Sequence, residues 1–300
     1  MSAITIRHTT TYKYKRAVAF GRHRMMLRPR DDADQTVREA DIKITPAPTE
    51  MAWTVDRFGN HVAEAEFEAR ASELRFESTI RLNHAPADLC EATIEDFARV
   101  FPFVYPAQQR VELEQFMAPR SADPQIGQWA ATFLSKNGAT NTGELLRHMT
   151  RSIRTTFKHA ARQEKGIQNP LQTLTIRSGS CRDHAMLMIA ALRSLGMAAR
   201  FVSGYLHLEE NDDNVSGPGG NTHAWVQAFL PGPGWVDLDP SCGVVGNQRH
   251  IRVAVVPEPD EAVPLQGTWI GEESDHLGMS VTVKVKSEAE GGTLVAGIGS

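Results

Sequence analysis

A change of hydrophobic period partway along the chain constrains its fold more than any other feature. From residue 3 to about 82, apolar residues recur at every second position: Ile4 and Ile6, Tyr12 and Tyr14, Ile42 and Ile44, then Leu74, Phe76, Ile80 and Leu82. This alternation turns one side of an extended segment toward a core and the other toward water. Turn residues such as Arg57-Phe58-Gly59-Asn60 separate the runs, and no helical stretch interrupts them. Residues 1–85 are therefore expected to form an antiparallel β-sandwich domain. The acidic group Asp31, Asp32 and Asp34 reads as a solvated turn. Residues 86–122 carry Pro86, Pro102, Pro106 and Pro119 and read as a connector with one short helix.

Beyond residue 122 the period becomes 3.6. Ile126, Trp129, Ala130 and Phe133 follow the entry pair Asp123-Pro124, and Asn141 with Glu144 has the spacing of a capping box ahead of Leu146, Met149, Ile153 and Phe157. A third helix opens at Ser180, with Asp183 three positions on, and Gly196 stops it. Strands are expected over Ala199–Leu206, Thr222–Leu230 and 235–239, with an acidic, glycine-rich hairpin at 209–220. Residues 123–300 read as an α+β core, a helix packed on an antiparallel sheet, to which the final alternation Val281, Val283 and Val285 is assigned.

Charge and composition exclude several functions. Lys and Arg total 32 against 36 Asp and Glu, a net charge of −4, which argues against a protein that holds nucleic acid through bulk positive charge. The strongly apolar run 185–192 is far below the ~20 residues of a membrane helix, so no membrane partner is expected. The start, MSAITIRHTT, lacks the basic and apolar stretches of a signal peptide, and Cys90, Cys181 and Cys242 are too few and too odd for a disulfide framework. Both observations predict a cytoplasmic location.

Cys181 carries the clearest chemistry. With Ser180 as N-cap it falls at the first helical position, where unpaired N–H groups and the positive end of the helix dipole favour a thiolate. His223 begins one predicted strand and Asp239 ends the next, so neighbouring strands can bring an imidazole and a carboxylate to one rim facing that helix. Asp237 shares the face of Asp239, and periodicity does not choose between them.

The stretch GSCRDHAMLMIAALRSLGMAARFVSGY, followed by NTHAWVQAFLPGPGWVDLDPS, resembles the core of bacterial transglutaminase-like proteins, in the papain-like cysteine protease superfamily. EKGIQNPLQTL, HIRVAV and the early Asp56-Arg57-Phe58-Gly59-Asn60 fit the same pattern. The resemblance places the nucleophile on Cys181, the base on His223 and the acid on Asp239, the Asp directly before Pro240. It implies acyl transfer at an amide of a peptide or peptide-like substrate, with hydrolysis as the first expectation, an amine-accepting transglutaminase as the alternative and an idle binding module as a third. It also suggests ATP-grasp-type amide ligases as pathway partners. His184 and His159 stand where relatives carry an aromatic residue and a tyrosine; neither is expected to touch the triad, though both are placed to line the site.

No cofactor or metal is expected. Cys181, His184, His223 and Cys242 could be written as zinc ligands but lack a second close pair, and the acidic stretch Glu209, Glu210, Asp212 and Asp213 lacks the ordered spacing of a calcium loop. The backbone N–H of Cys181 is the expected oxyanion donor, with Gln168 or Gln172 as candidates for a second. Trp225 and Trp235 share the strand faces of His223 and Asp239 and are candidates to cover the site, although ordinary core packing is the simpler reading.

Overall fold

The structure is a computed structural model that describes residues 2–85, 89–118, 123–136, 138–160, 166–207, 222–247 and 249–287. Its N-terminal region consists of β1 (Ser2–Met25), β2 (Gln35–Thr45), β3 (Glu50–Val55), β4 (His61–Glu66) and β5 (Arg70–His84). The connector supplies β6 (Val100–Phe101) and α1 (Ala107–Met117). There follow α2 (Pro124–Ala131), β7 (Thr140–Asn141), α3 (Thr142–Thr156), β8 (Lys158–His159), α4 (Pro170–Ile176), β9 (Ser178–Gly179) and α5 (Cys181–Ser194). The remaining strands are β10 (Ala199–Leu206), β11 (Thr222–Leu230), β12 (Gly234–Asp239), β13 (Val244–Val245), β14 (His250–Val256), β15 (Leu265–Ile270) and β16 (His276–Ser287).

The alternating N-terminal segments form one seven-stranded sheet in the order β2-β5-β1-β4-β3, with β15 and β16 also paired to β1. All its pairings are antiparallel. The two C-terminal strands correct the sequence reading. Val281, Val283 and Val285, assigned there to the core, align with Thr10, His8 and Ile6 of β1. Alternation marks a strand but carries no address for its partner. One part of the sheet curls over Tyr14, Phe20, Met25, Leu74 and Phe76. The other lays Ile4, Ile6, Ile80, Leu82, Val283 and Val285 on Tyr205, Ile251 and Val253 of a second sheet, which supplies the facing layer. Tyr205 fixes the junction, its hydroxyl lying 3.0 Å from His8 Nδ1 and donating to the Leu27 carbonyl at 3.3 Å.

That second sheet is antiparallel, five-stranded and ordered β13-β12-β11-β10-β14. Ala224, Val226, Ala228 and Leu230 alternate onto the face covered by α5, whose Met188, Ala191 and Leu192 are fully buried. Each such Leu or Met stabilises the packing by about 1.5–3 kcal/mol relative to exposure. The caps expected from sequence are present: Asp123 Oδ1 accepts from Gln125 N at 2.8 Å, and Asn141 Oδ1 accepts from Glu144 N at 2.9 Å. Gly196, at φ 80°, takes the left-handed conformation that ends the α5 segment. Among the described residues no helix is long and apolar enough to cross a membrane. The 209–220 hairpin lies outside the described residues.

Candidate active site

The start of α5 is fastened by Asp183. Its buried carboxylate accepts from Ser180 N at 2.8 Å and Ser180 Oγ at 2.9 Å through Oδ2, and from Gln168 N at 2.7 Å through Oδ1. Gly179 is required by this fastening, because a Cβ there would lie 2.8 Å from the Asp183 Cβ. Beside it, β8 and β9 pair in parallel, with Lys158 N donating to Arg177 O at 2.8 Å and Ala160 N to Gly179 O at 2.9 Å. The helix therefore presents half-buried Cys181 at its first position, and the short strand presents His159 next to it.

The opposing wall comes from the sheet. His223 opens β11 across from Gly204 of β10. A Cβ on Gly204 would approach the Ile251 carbonyl oxygen to 2.1 Å and the Trp225 ring to 2.8 Å, so glycine is what lets the indole lie under the site. Asp239 is buried at the end of β12 and fully engaged. Its Oδ2 accepts from His223 Nε2 at 2.8 Å and His250 Nε2 at 2.9 Å, and its Oδ1 from Ser241 N at 2.8 Å and Cys242 N at 3.1 Å.

Asp237, which periodicity could not separate from Asp239, has other partners. It accepts from Trp225 Nε1 at 2.6 Å and from Arg252 Nη1 at 2.7 Å. Trp225 lies almost parallel to His223, at 21° and 6.2 Å between ring centres, and 4.8 Å from His250. It forms the floor of the site. Trp235 does not cover it, since its ring is stacked by the Arg200 guanidinium at 4.0 Å and packed on Phe116 and Phe229.

The imidazoles of His159 and His223 both act on the thiol of Cys181. Burial pushes that thiol up, but these imidazoles, together with the charges of His223 and Arg182, outweigh burial and bring it down to about 6. Burial pulls His223 the other way, yet the Asp239 carboxylate, helped by bonds to Cys181 and Cys242, holds it well above its usual value. Burial raises Asp239 as well, but His223 and His250 keep its carboxyl well below the ordinary range. Together these shifts favour a thiolate at Cys181, an imidazolium at His223 and a carboxylate at Asp239.

Several expectations need correction. His159 acts on the Cys181 thiol and helps to lower it, a larger part than the marginal place given to it. His184 faces Ser241 Oγ at 3.5 Å and the rings of Phe157 and His159, and burial lowers it to about 4, so it stays neutral. Gln168 Nε2 donates to Thr173 Oγ1 at 2.9 Å and to the Ser178 carbonyl at 3.0 Å, which commits both amide protons within the α4–β9 turn. Gln172 is exposed on α4. Neither glutamine is the second oxyanion donor in this arrangement.

His250 is the residue that sequence reasoning missed. Its only signal was its place at the head of HIRVAV, which otherwise reads as an apolar strand. With His223 and Asp239 it forms a cluster whose ligand-type atoms all lie within 4.8 Å of one another. Both imidazole Nε2 atoms face the same carboxylate oxygen at hydrogen-bond distance, so a metal there would displace the protons that tie His223 to its acid. The acidic stretch 209–213 lies outside the described residues.

Helix-borne thiol, strand-borne imidazole and carboxylate, on a helix-over-sheet core, define a papain-like cysteine-dependent class. More narrowly, residues 4–83 match the family model of the bacterial transglutaminase-like N-terminal region, and residues 129–240 that of the transglutaminase-like superfamily. The chain belongs with the bacterial transglutaminase-like proteins. It is 28% identical over 293 residues to an uncharacterised protein of Mycobacterium tuberculosis, covering 93% of this chain and 91% of that one. It is 35% identical over 94 residues to a protein-glutamine gamma-glutamyltransferase of Pseudomonas aeruginosa, a match covering 29% of this chain and 13% of the other. A crystal structure from Cytophaga hutchinsonii, described as a candidate cysteine protease, shares the fold at a TM-score of 0.73 and 17% identity, over 95% of this chain and 90% of that one.

Proposed function

We propose that the protein transfers acyl groups from amide bonds through Cys181, and that water is the acceptor. The thiolate attacks the amide carbonyl carbon, and the oxygen that becomes negative is met by the backbone N–H of Cys181 at the helix N-terminus. His223 gives a proton to the departing amine, with Asp239 fixing its ring through Nε2 and leaving Nδ1 toward the sulfur. The thioester is then opened by water, whose proton His223 accepts, and the thiolate is restored. A peptide or peptide-like amide is the substrate class.

The observation that carries this reading is the sulfur–imidazole–carboxylate chain, with the thiol brought to about 6. An idle binding module has no need of a thiolate held against an imidazolium. The experiment is a screen of peptide and simple amide substrates against the full chain, with and without an added primary amine, in EDTA and then in calcium. Metal-independent release of free acid supports hydrolysis. Product carrying the added amine moves the assignment to a transglutaminase, and activity that needs calcium or zinc contradicts the metal-free mechanism.

A further inference from the structure

Between the loop joining β1 to β2, the connector and the second sheet lies a cleft of about 520 Å³, whose lining includes Arg30, Asp32, Arg200, Trp235, Asp237 and Arg252. Cys181, His223 and Asp239 do not line it. Its guanidiniums are unequally matched. Arg252 gathers the carboxylates, with Nη1 on Asp237 at 2.7 Å, Nη2 on Asp34 and Nε at 3.4 Å from Asp32. Arg30 donates Nη1 to the Phe58 carbonyl at 3.0 Å and reaches Asp32 only at 3.8 Å. Its buried Nε has no hydrogen-bond partner among the described residues.

Three carboxylates, Asp32, Asp34 and Asp237, line the cleft with these three guanidiniums, and among the described residues Arg200 is the one guanidinium of the three with no ion pair to them. Its Nε and Nη2 donate to Gln227 Oε1 at 2.9 and 2.7 Å, a neutral acceptor, and among the described residues no carboxylate hydrogen-bonds it. The guanidinium lies 4.0 Å from the centre of the Trp235 ring, and that ring is wedged by Phe116 at 5.0 Å and Phe229 at 5.4 Å. Arg200 is thus held rigidly, with the N–H groups of Nη1 and the second of Nη2 unused. Those form a fork that matches an oxyanion. Burial first, then the neighbouring charges of Arg30 and Arg252, lower Arg200 to about 9 against the opposing pull of Asp237 and Asp32. An anion on the Arg200 fork would offset the charges of Arg30 and Arg252 that act on it.

We propose that this cleft is a second ligand site, which takes a small molecule by an oxyanion group, carboxylate or phosphate, seated on the Arg200 fork beside Arg30. Leu89, Pro233 and Val236 supply an apolar wall for the rest of the ligand. Asp237 belongs both to this lining and to the layer under the proposed triad, through its bond to Trp225. The site stands whether or not Cys181 is the nucleophile.

The test is calorimetric titration of the full chain with inorganic phosphate and, separately, with glutarate, at constant ionic strength with sodium chloride as control. Saturable one-to-one binding of at least one probe is expected, and which one binds identifies the oxyanion. Arg200→Gln should weaken that binding at least about tenfold, the scale of a lost charge-assisted fork, while Cys181→Ala leaves it unchanged. Thermal melts establish that the variants are folded, and Arg30→Gln decides the matter if Arg200→Gln is not. Binding no stronger than the chloride control for both probes, or equal affinity in the folded arginine variants, overturns the proposal.

Discussion

The thiols of Cys181, at the start of α5, and Cys242, in the turn after β12, are both influenced by His223, yet the first is lowered to about 6 and the second is raised. Burial raises both. At Cys181 it is outweighed by His159, His223 and the charge of Arg182, on top of a helix N-terminus. At Cys242 the Asp239 carboxylate adds its negative charge to burial, and the influence of His223 does not compensate. Sharing the imidazole therefore does not decide which sulfur is a nucleophile. The further contacts of each sulfur do, and they come from different elements of the fold.

The largest effect should separate the two thiols outright. Cys181→Ala is expected to abolish amide turnover, a loss of at least about 10⁴-fold, while Cys242→Ala changes it by less than about tenfold. Comparable losses in both variants would break the comparison. Next in size is the contrast between the two carboxylates of β12. Asp239→Asn should cost about 10²–10⁴-fold in turnover because His223 loses the acceptor that orients it. Asp237→Asn should instead appear in a denaturation curve, since it weakens a buried pair with Arg252 whose outright breakage costs about 3–5 kcal/mol.

Smaller still is the contribution of His159. His159→Asn removes one of the two imidazoles on the sulfur, so the Cys181 thiol should titrate at higher pH, seen as slower alkylation on the acid side with an unchanged rate at alkaline pH. The least effect is predicted for Gln168→Ala. Loss of its bonds to Thr173 and Ser178 should cost about 1–3 kcal/mol of stability with kcat nearly unchanged. A drop in kcat of about 10²-fold or more would restore Gln168 as an oxyanion donor.

Sequence alone exposed local features well and crossings between elements poorly. The start of α5 was legible because its cap, Ser180 with Asp183, is written within four residues, and β11 because Ala224, Val226, Ala228 and Leu230 alternate without a break. Asp237 and Asp239 looked alike because period two assigns them one face; what separates them is Arg252 on β14 and Trp225 on β11, neither adjacent in sequence. His250 was invisible for the same reason. It reaches Asp239 from β14, which the sheet order separates from β12 by β11 and β10. Likewise β16 showed its alternation but not that β1, at the opposite end of the chain, would be its partner.

The central claim is that Cys181 is a thiolate held by His223. Its most direct test is the rate of iodoacetamide alkylation against pH, read at each cysteine by peptide mapping, in the native chain and in His223→Ala. A thiol lowered to about 6 is mostly ionised above that pH and loses its reactivity as the pH falls through it. The account predicts a Cys181 midpoint near 6 that moves upward in His223→Ala, with Cys242 unlabelled until the pH is well above neutral. A Cys181 midpoint at the ordinary thiol value of about 8.5, or one that does not respond to loss of His223, would contradict it.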